Sequence, residues 1–301
     1  MSGLIRLQNG PSQWPDIKDA AHILWRASIH PEISPLRDTL AGDFSYPSLF
    51  AKDLHTGINS SRRAIIVRYH DNITIAFEGT GSDALVMNLW TNLWADAKGP
   101  NIWDIPFPVY TDGNRVHSFY RDMWHGMRAS TLDALSEAVK CIVAKGNAPK
   151  SIVVAGFSMG GGVSTMAFMD IVHHVRTTWG SESPAPCDWA KDEGFASLIQ
   201  HLTFAAVAAG DQGFHTVLNN VYEHYSIRAW DFMHHNDITR HAHHPAFRSF
   251  RGYRYILPDA IVRHFGAEFG PVGHWILGYL KAAQWMTEHG TDQVKSEYVY
   301  R

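Results

Sequence analysis

The sequence predicts an α/β fold in which a mostly parallel central sheet is covered by helices on both faces. Short apolar runs of strand type recur along the chain, stretches of helical periodicity separate them, and one run leads directly into a glycine-rich turn. Parallel strands need long crossover connections, which helices usually supply, so this alternation is typical of a parallel sheet. With 301 residues, 45% of them hydrophobic, we expect one domain, 1–301, with a large core.

The first half of the chain predicts a hairpin, a long helix and a buried strand. In residues 63–78, two β-branched runs are separated by His70-Asp71-Asn72, which favours a tight turn. Residues 118–145 carry apolar side chains at helical spacing and end in Lys145-Gly146-Asn147. The run at 151–155 is continuously apolar, which is typical of a parallel strand buried on both faces.

The second half repeats the alternation. A helix is expected from residue 161 to 176, and the stretch 177–198 then breaks the pattern and is expected to be a surface insertion. The later expected elements are a strand at 201–208, a helix at 211–220, a strand at 225–232, a strand at 252–257 and a helix at 274–287.

The strongest chemical signal is the segment 156–160, Gly-Phe-Ser-Met-Gly, which fits the pattern G-x-S-x-G. It follows a strand of buried type and opens a helix, the setting in which a sharp turn exposes a serine hydroxyl at the end of a strand. Three successive glycines, 160–162, leave the first helical turn without side chains, so its backbone N–H groups can face a developing oxyanion. We therefore predict Ser158 as a nucleophile. A phosphate-binding loop is disfavoured because no Lys-Ser or Lys-Thr follows the glycines.

A nucleophilic serine needs a histidine that takes its proton and a carboxylate that orients the histidine. After a G-x-S-x-G turn these partners follow in the chain order Ser, Asp, His. Asp237 follows a late strand and His274 precedes the last helix, so we predict them as acid and base, although turn and cap roles would also suit them. His264 is the alternative base, and Asp231 and Asp259 are the alternative acids.

The end of the second hairpin strand offers the other part of an oxyanion hole. Gly79 allows close backbone approach, and Thr80 can give both an N–H and a hydroxyl. The opposing donor would be the N–H of Met159. An ordinary turn explains the same residues near 80 equally well.

Together these segments resemble the class 3 lipases. That family's pattern runs through F-R-G-T/S, V-H-x-G-F, G-H-S-L-G-G, T-F-G-x-P, a late D-I/V-P/T and a final His. The corresponding segments, collinear over about 63–288, are Phe77-Glu78-Gly79-Thr80, Val116-His117-Ser118-Phe119, Gly156-Phe157-Ser158-Met159-Gly160-Gly161, Leu202-Thr203-Phe204-Ala205, Asn236-Asp237-Ile238-Thr239 and Gly273-His274.

The resemblance implies an α/β-hydrolase fold with the same three catalytic residues and the same two oxyanion residues, Thr80 and Met159. It also implies a lid after the first oxyanion residue, within 81–106, where leucines and tryptophans could form a mobile apolar cover. Ordinary core packing is the other explanation for those side chains.

The chain departs from the family pattern at several positions. Glu78 stands where the family usually has Arg, and Phe157 stands where it has His before the nucleophile. The segment 204–207 lacks the family's Pro, and 177–198 is extra. These differences leave the reaction class standing but weaken a specific triglyceride assignment.

Composition excludes several classes of partner. A net charge of −3, with no basic stripe, argues against nucleic acid binding. No basic, apolar leader begins the chain, so we expect a cytoplasmic protein or one exported without a visible signal peptide. Transient contact with a membrane interface through aromatic side chains stays open, and the sequence does not indicate an oligomeric state.

Metal and disulfide chemistry have weak signals. The loop at 234–245 is rich in histidine, but it has no H-E-x-x-H helix and no cysteine at ligand spacing, so we expect neither a zinc site nor a cofactor. Cys141 is expected on a helix and Cys187 in a loop, where at most one disulfide could form. The histidines in question are His234, His235, His241, His243 and His244.

The sequence thus predicts a serine carboxylic-ester hydrolase, a lipase or esterase, acting on an acyl-ester or lipid substrate without a cofactor. A phospholipase or carbohydrate esterase of the same fold is the alternative within hydrolases. A peptidase, an acyltransferase and an inactive binding protein that keeps the fold are alternatives of other kinds, because a fold does not guarantee an activity.

Overall fold

The computed structural model describes residues 13–55, 62–79, 116–240, 247–248, 254–270 and 273–289. Its strands are β1 (Phe50–His55), β2 (Arg62–Tyr69), β3 (Asn72–Phe77), β4 (Ser151–Phe157), β5 (Ile199–Phe204), β6 (Gly210–Asp211), β7 (Arg228–Met233), β8 (Phe247–Arg248) and β9 (Arg254–Ile256). Its α-helices are α1 (Trp14–Ile29), α2 (Ile33–Asp43), α3 (Ser118–Val143), α4 (Met159–Thr178), α5 (Phe195–Leu198), α6 (Gln212–His224), α7 (Asp259–His264) and α8 (Ile276–His289). Short 3₁₀ turns span Asp188–Ala190, Asp192–Gly194, Ile238–Arg240 and Gly266–Phe269.

Seven strands form one sheet in the order β1-β2-β3-β4-β5-β7-β9. The pairs β1–β2 and β2–β3 are antiparallel, and from β3 onwards every pair is parallel. The two remaining strands, β6 and β8, form a small separate ribbon. The predicted mostly parallel sheet is confirmed.

Helices cover both faces of the sheet because the side chains of its central strand alternate between two cores. In β4, Ile152 and Val154 join the cluster formed with α3, α4 and α6. Val153 and Ala155 join the opposite cluster, formed with α1 and α8. Successive side chains of a strand point to opposite faces, so a strand buried on both sides must be apolar throughout.

Residues with a positive φ end or begin several strands at positions other than those predicted from the sequence. The hairpin turn is His70-Asp71, with φ 49° at His70, and Asn72 already pairs with Tyr69 in the ladder. Strand β5 ends at Phe204, rather than 208, because Ala205 has φ 50°. Strand β7 begins at 228, rather than 225, because Ser226 turns the chain with φ 52°.

The segment 177–198, expected to be a surface insertion, also contributes to the core. It contains the end of α4, two 3₁₀ turns and α5. Ala190 and Phe195 are fully buried, and Trp179 and Trp189 pack partly against the same core. The segment therefore closes one side of the sheet before β5 begins.

In the part of the chain that the structure describes, no helix is both long and apolar enough to cross a bilayer. Cys141 lies in α3 and Cys187 in the connection after α4, as expected, and both are free thiols.

Candidate active site

Ser158 stands alone between the end of β4 and the start of α4. Its backbone has φ 55° and ψ −119°, a conformation that costs a residue with a side chain about 1–3 kcal/mol. Backbone hydrogen bonds hold it there: Ser158 N–H donates to Phe204 O at 2.9 Å, and Ser158 O accepts from Gly161 N at 3.0 Å and, at longer distances, from the next residue of the helix and from Val207. The hydroxyl is thereby presented at the carboxyl edge of the sheet.

Gly160 explains why the turn can be this tight. A Cβ at this position would lie 2.2 Å from Phe77 O and 2.5 Å from Glu78 O, so only glycine fits. The start of α4 therefore lies directly against the end of β3. This contact brings the nucleophile turn beside the segment that leads to residue 80.

His274 reaches Ser158 from the last loop of the described chain. Its Nε2 lies 2.7 Å from Ser158 Oγ, although 116 residues separate the two in sequence. Ser158 is 8% exposed, so the pair is accessible but largely shielded. The predicted helix start at 274 is wrong: α8 begins two residues later, and Gly273, at φ +66°, keeps His274 outside the helix.

Asp237 binds the other side of the imidazole. Its Oδ1 and Oδ2 lie 2.9 and 3.1 Å from His274 Nδ1. The same fully buried carboxylate accepts hydrogen bonds from the backbone and hydroxyl of Thr239 at 2.8 and 2.6 Å, and from the Tyr279 hydroxyl at 2.6 Å. Every acceptor direction of this carboxylate is therefore filled by protein.

The electrostatics of this group fix the tautomer of His274. Burial raises the pKa of Asp237. The hydrogen bond and charge interaction with His274, together with the hydroxyls of Thr239 and Tyr279, lower it by more, so the net pKa lies below the ordinary value. An ionised carboxylate can only accept. The Nδ1 atom of His274 must then carry the proton, which leaves Nε2 to accept from the Ser158 hydroxyl.

Phe157 packs on the imidazole. The ring centroids of Phe157 and His274 are 4.9 Å apart and the planes are inclined by 27°. A Cβ on Gly79 would lie 2.6 Å from the Phe157 ring, so the end of the hairpin also packs closely against this ring. The residue that replaces the family's usual histidine thus forms one wall of the site.

The alternative acids and base have other surroundings. Asp231 is buried in β7, where its Oδ2 pairs with Arg254 at 2.5 Å and its Oδ1 accepts from Thr203 at 2.9 Å. Asp259 lies on the surface, 3.6 Å from His235. His264 is exposed at the end of α7.

A second serine–histidine pair lies inside the core. Ser164 Oγ is 3.0 Å from His201 Nε2, and His201 Nδ1 contacts the Tyr222 hydroxyl. Both Ser164 and His201 are buried, and burial lowers the pKa of His201 to about 3. A substrate cannot reach this pair without opening the core, so it is a structural contact.

Three supporting residues were missed by sequence reasoning. Thr239 had a local signal, since a hydroxyl two residues after an aspartate often closes an Asx-type turn. Tyr279 had none, and His234 stood out only as part of the histidine-rich loop, because each meets its partner through the tertiary fold.

Several expectations lie outside the described residues. These are Thr80, the lid segment 81–106, and His241, His243 and His244 of the histidine-rich loop. Among the residues that are described, no three His, Cys, Asp or Glu side chains are grouped so that they could hold a metal ion.

Comparison with known proteins identifies the family. Residues 74–246, more than half of the chain, match the model of the class 3 lipases. No curated protein matches the chain.

Solved structures with the same fold include fungal lipases. The Rhizomucor miehei lipase in its propeptide complex has 16% identity and a TM-score of 0.55, covering 83% of this chain and 70% of that one. A triacylglycerol lipase whose catalytic centre is described as a serine protease triad has 16% identity, a TM-score of 0.56 and coverages of 83% and 82%. The lipase of Rhizopus microsporus var. chinensis has 14% identity, a TM-score of 0.54 and coverages of 79% and 73%. The α/β-hydrolase fold is thus confirmed, and the chain belongs to the class 3 lipase family.

Proposed function

We propose that this protein is a serine carboxylic-ester hydrolase with Ser158 as nucleophile, His274 as general base and Asp237 as the acid that orients the base. One observation carries the proposal: a continuous line of hydrogen bonds runs from Ser158 Oγ through both ring nitrogens of His274 to Asp237. Such a line is what converts a weakly nucleophilic hydroxyl into an effective one.

In the first half of the reaction, Ser158 Oγ attacks the ester carbonyl carbon while its proton passes to His274 Nε2. The carbonyl oxygen becomes an oxyanion in a tetrahedral intermediate. Collapse of that intermediate breaks the bond to the alcohol, which leaves with the proton returned by His274. The acyl group remains on Ser158 as an ester.

In the second half, water takes the place of the alcohol. His274 removes a proton from water, the resulting hydroxide attacks the acyl carbon, and the proton returns to Ser158 Oγ as the carboxylic acid departs. Asp237 stays ionised throughout and stabilises the imidazolium that forms in each half. No step needs a metal or a cofactor.

The oxyanion would be held by the backbone N–H groups of Met159 and Thr80. Met159 directly follows the nucleophile and begins α4, whose dipole favours negative charge at this end. The close contact of Gly160 with the end of β3 supports Thr80 as the second donor, because it draws the segment leading to residue 80 towards the turn.

An apolar acyl ester or lipid is the substrate class that we propose. Family membership supports it, and so do two exposed apolar side chains at the residues that directly follow the acid and the base in the chain: Ile238 is 37% exposed and Trp275 is 52% exposed. Exposed apolar side chains this near to the catalytic residues in the chain suit a substrate that presents a hydrocarbon chain.

Hydrolysis of p-nitrophenyl esters from acetate to palmitate tests this function, with a fluorophosphonate probe as a second readout. Ser158→Ala and His274→Ala should each lose hydrolysis, and Ser158→Ala should also lose labelling. The matched control is Ser164→Ala, which removes the buried serine–histidine contact and should keep both. An absence of labelling in the folded wild type would favour an inactive binding protein instead.

A further inference from the structure

His234 connects the loop that carries the acid with the loop that carries the base. It lies one residue beyond β7 and three residues before Asp237, and it is 1% exposed. Its ring contacts Phe269 on one side, with centroids 4.5 Å apart, and its Nε2 lies 2.5 Å from the carbonyl oxygen of Gly273, 39 residues further along the chain. The proposed reaction does not use this histidine.

The hydrogen bonds of His234 define its protonation state. The backbone N–H of Asn236 donates to His234 Nδ1 at 3.2 Å, so Nδ1 must be an unprotonated acceptor. The single ring proton then sits on Nε2 and is donated to Gly273 O. Burial lowers the pKa of His234, which outweighs the raising effects of the Gly273 carbonyl and of Asp237 and keeps the ring neutral.

The carbonyl that accepts this bond belongs to the peptide unit that begins His274. A peptide unit is planar, so holding the oxygen of Gly273 also holds the nitrogen and the Cα atom of His274 in one plane. Gly273 itself has φ +66°, and a Cβ there would lie 2.7 Å from His234 Cε1 and 2.9 Å from Asn236 O. The two loops are therefore in direct contact at the residue before the base.

We propose that His234 is a positioning residue for the ester hydrolysis proposed above: its Nε2–H holds the Gly273 peptide so that His274 meets both Ser158 and Asp237. This inference rests on the proposed function. It explains how a base placed between a glycine and a helix start keeps hydrogen-bond distances of 2.7 and 2.9 Å to two other segments.

Two amide variants separate the donor from the rest of the side chain. In His234→Gln the amide nitrogen can reach roughly the place of Nε2 and donate to Gly273 O. In His234→Asn the amide ends near the place of Nδ1 and cannot reach that carbonyl. We expect His234→Asn to lower kcat about 10- to 100-fold, with KM changed less than about threefold, since small displacements of a catalytic group have effects of this size. His234→Gln should stay within about fivefold of the wild type.

The matched control is His235→Asn, the same substitution at the neighbouring residue, whose side chain is half exposed and lies 3.6 Å from Asp259. We expect this variant to keep wild-type kcat and KM. Circular dichroism and the thermal midpoint of each variant establish that it is folded. If His234→Asn does not fold, the Gln variant decides the question: a folded His234→Gln that loses more than tenfold in kcat overturns the proposal.

A spectroscopic readout addresses the geometry without turnover. The low-field proton NMR signal of the hydrogen bond from His274 Nδ1 to Asp237 should persist in His234→Gln and be lost or broadened in His234→Asn. Equal losses of kcat in the two variants, or a His234→Asn variant with wild-type kcat and NMR signal, overturn the positioning role alone. A folded wild type that neither hydrolyses esters nor labels with fluorophosphonate overturns the proposed function as well.

Discussion

Replacing Asp237 by Asn changes one atom of the proposed catalytic group and reverses the direction of a hydrogen bond. The amide oxygen can take the place of Oδ1 and keep both bonds from Thr239. The amide nitrogen then has one N–H for His274 and one for the Tyr279 hydroxyl, which can accept instead of donate. The packing is preserved, but an ionised group with two acceptor oxygens near His274 Nδ1 is replaced by a neutral amide with one acceptor and one donor there.

The size of the effect follows from the tautomer. The amide nitrogen faces Nδ1 from the place of Oδ2, 3.1 Å away, and favours the tautomer with the proton on Nε2, the atom 2.7 Å from Ser158 Oγ; the neutral amide oxygen at the place of Oδ1, 2.9 Å from Nδ1, is a weaker acceptor than the carboxylate. Nε2 can then no longer take the serine proton. A wrong tautomer of this kind costs about 10⁴ in kcat in a serine protease triad, which is about 5.5 kcal/mol in the activation free energy. We expect Asp237→Asn to lose about 10³- to 10⁴-fold.

The assay is kcat/KM on the p-nitrophenyl ester that the wild type cleaves fastest, with the rate of fluorophosphonate labelling of Ser158 measured in parallel. Both should fall together, because both need the activated hydroxyl. Asp259→Asn is the matched control: it makes the same chemical change at an exposed carboxylate of α7, and its rate should equal that of the wild type.

A folded Asp237→Asn variant within tenfold of the wild type would refute this reasoning. It would mean that the geometry at His274 does not depend on an ionised acceptor at this position. The buried carboxylate of Asp231 would then be the next one to replace.

Three further predictions concern the turn, a buried histidine and the wall of the site. Gly160→Ala should lower the free energy of unfolding, measured in urea, by about 1–3 kcal/mol or more, because the new Cβ would clash with backbone atoms. The control is Gly42→Ala, where nothing lies within 4 Å of the new Cβ, and it should change this free energy by less than about 1 kcal/mol. Burial lowers the pKa of His201 from 6.5 to about 3. Between pH 6.5 and about pH 3 the imidazole is therefore protonated in the unfolded chain but not in the folded one, so the free energy of unfolding falls as the pH is lowered through this range. His201→Asn should make the slope of unfolding free energy against pH shallower by about one proton there, and an unchanged slope would contradict the assignment. Phe157→Ala should lower kcat by about tenfold by freeing the ring of His274, while Phe157→Leu, which keeps apolar volume at the ring, should lose less.

The parts of the site that could be predicted are those written in local sequence. The turn at Ser158 is specified by five consecutive residues between a continuous apolar run and a helix, so the pattern and the structure coincide. Asp237 and His274 were found from chain order, which reflects how successive parallel strands deliver their carboxyl ends to one edge.

The two long-range supporting contacts could not be predicted because no local sequence pattern encodes them. The hydrogen bond between Tyr279 and Asp237 joins residues 42 apart, and the one between His234 and Gly273 joins residues 39 apart. Each depends on α8 and β7 already being packed in register. A one-turn shift of the helix would leave the sequence pattern equally plausible and remove the tyrosine from the site.

Before residue 63, where α1, α2 and β1 lie, no element was predicted from the sequence. Helix α1 buries Ile17, Ala21 and Leu24, a helical spacing, in the core that it shares with α8. Its partner is more than 240 residues away in the chain, so the need for a helix there becomes evident only when the second face of the sheet has to be covered.

The backbone conformation of Ser158 has a consequence for which residue is most stable at this position. Glycine adopts φ 55°, ψ −119° without a Cβ clash, so a glycine there would relieve about 1–3 kcal/mol of a folding free energy that is about 5–15 kcal/mol in a typical domain. Mutation followed by selection for stability alone would remove the hydroxyl. A serine at this position therefore lowers the stability of the fold, a cost that the proposed role of its hydroxyl as nucleophile would account for.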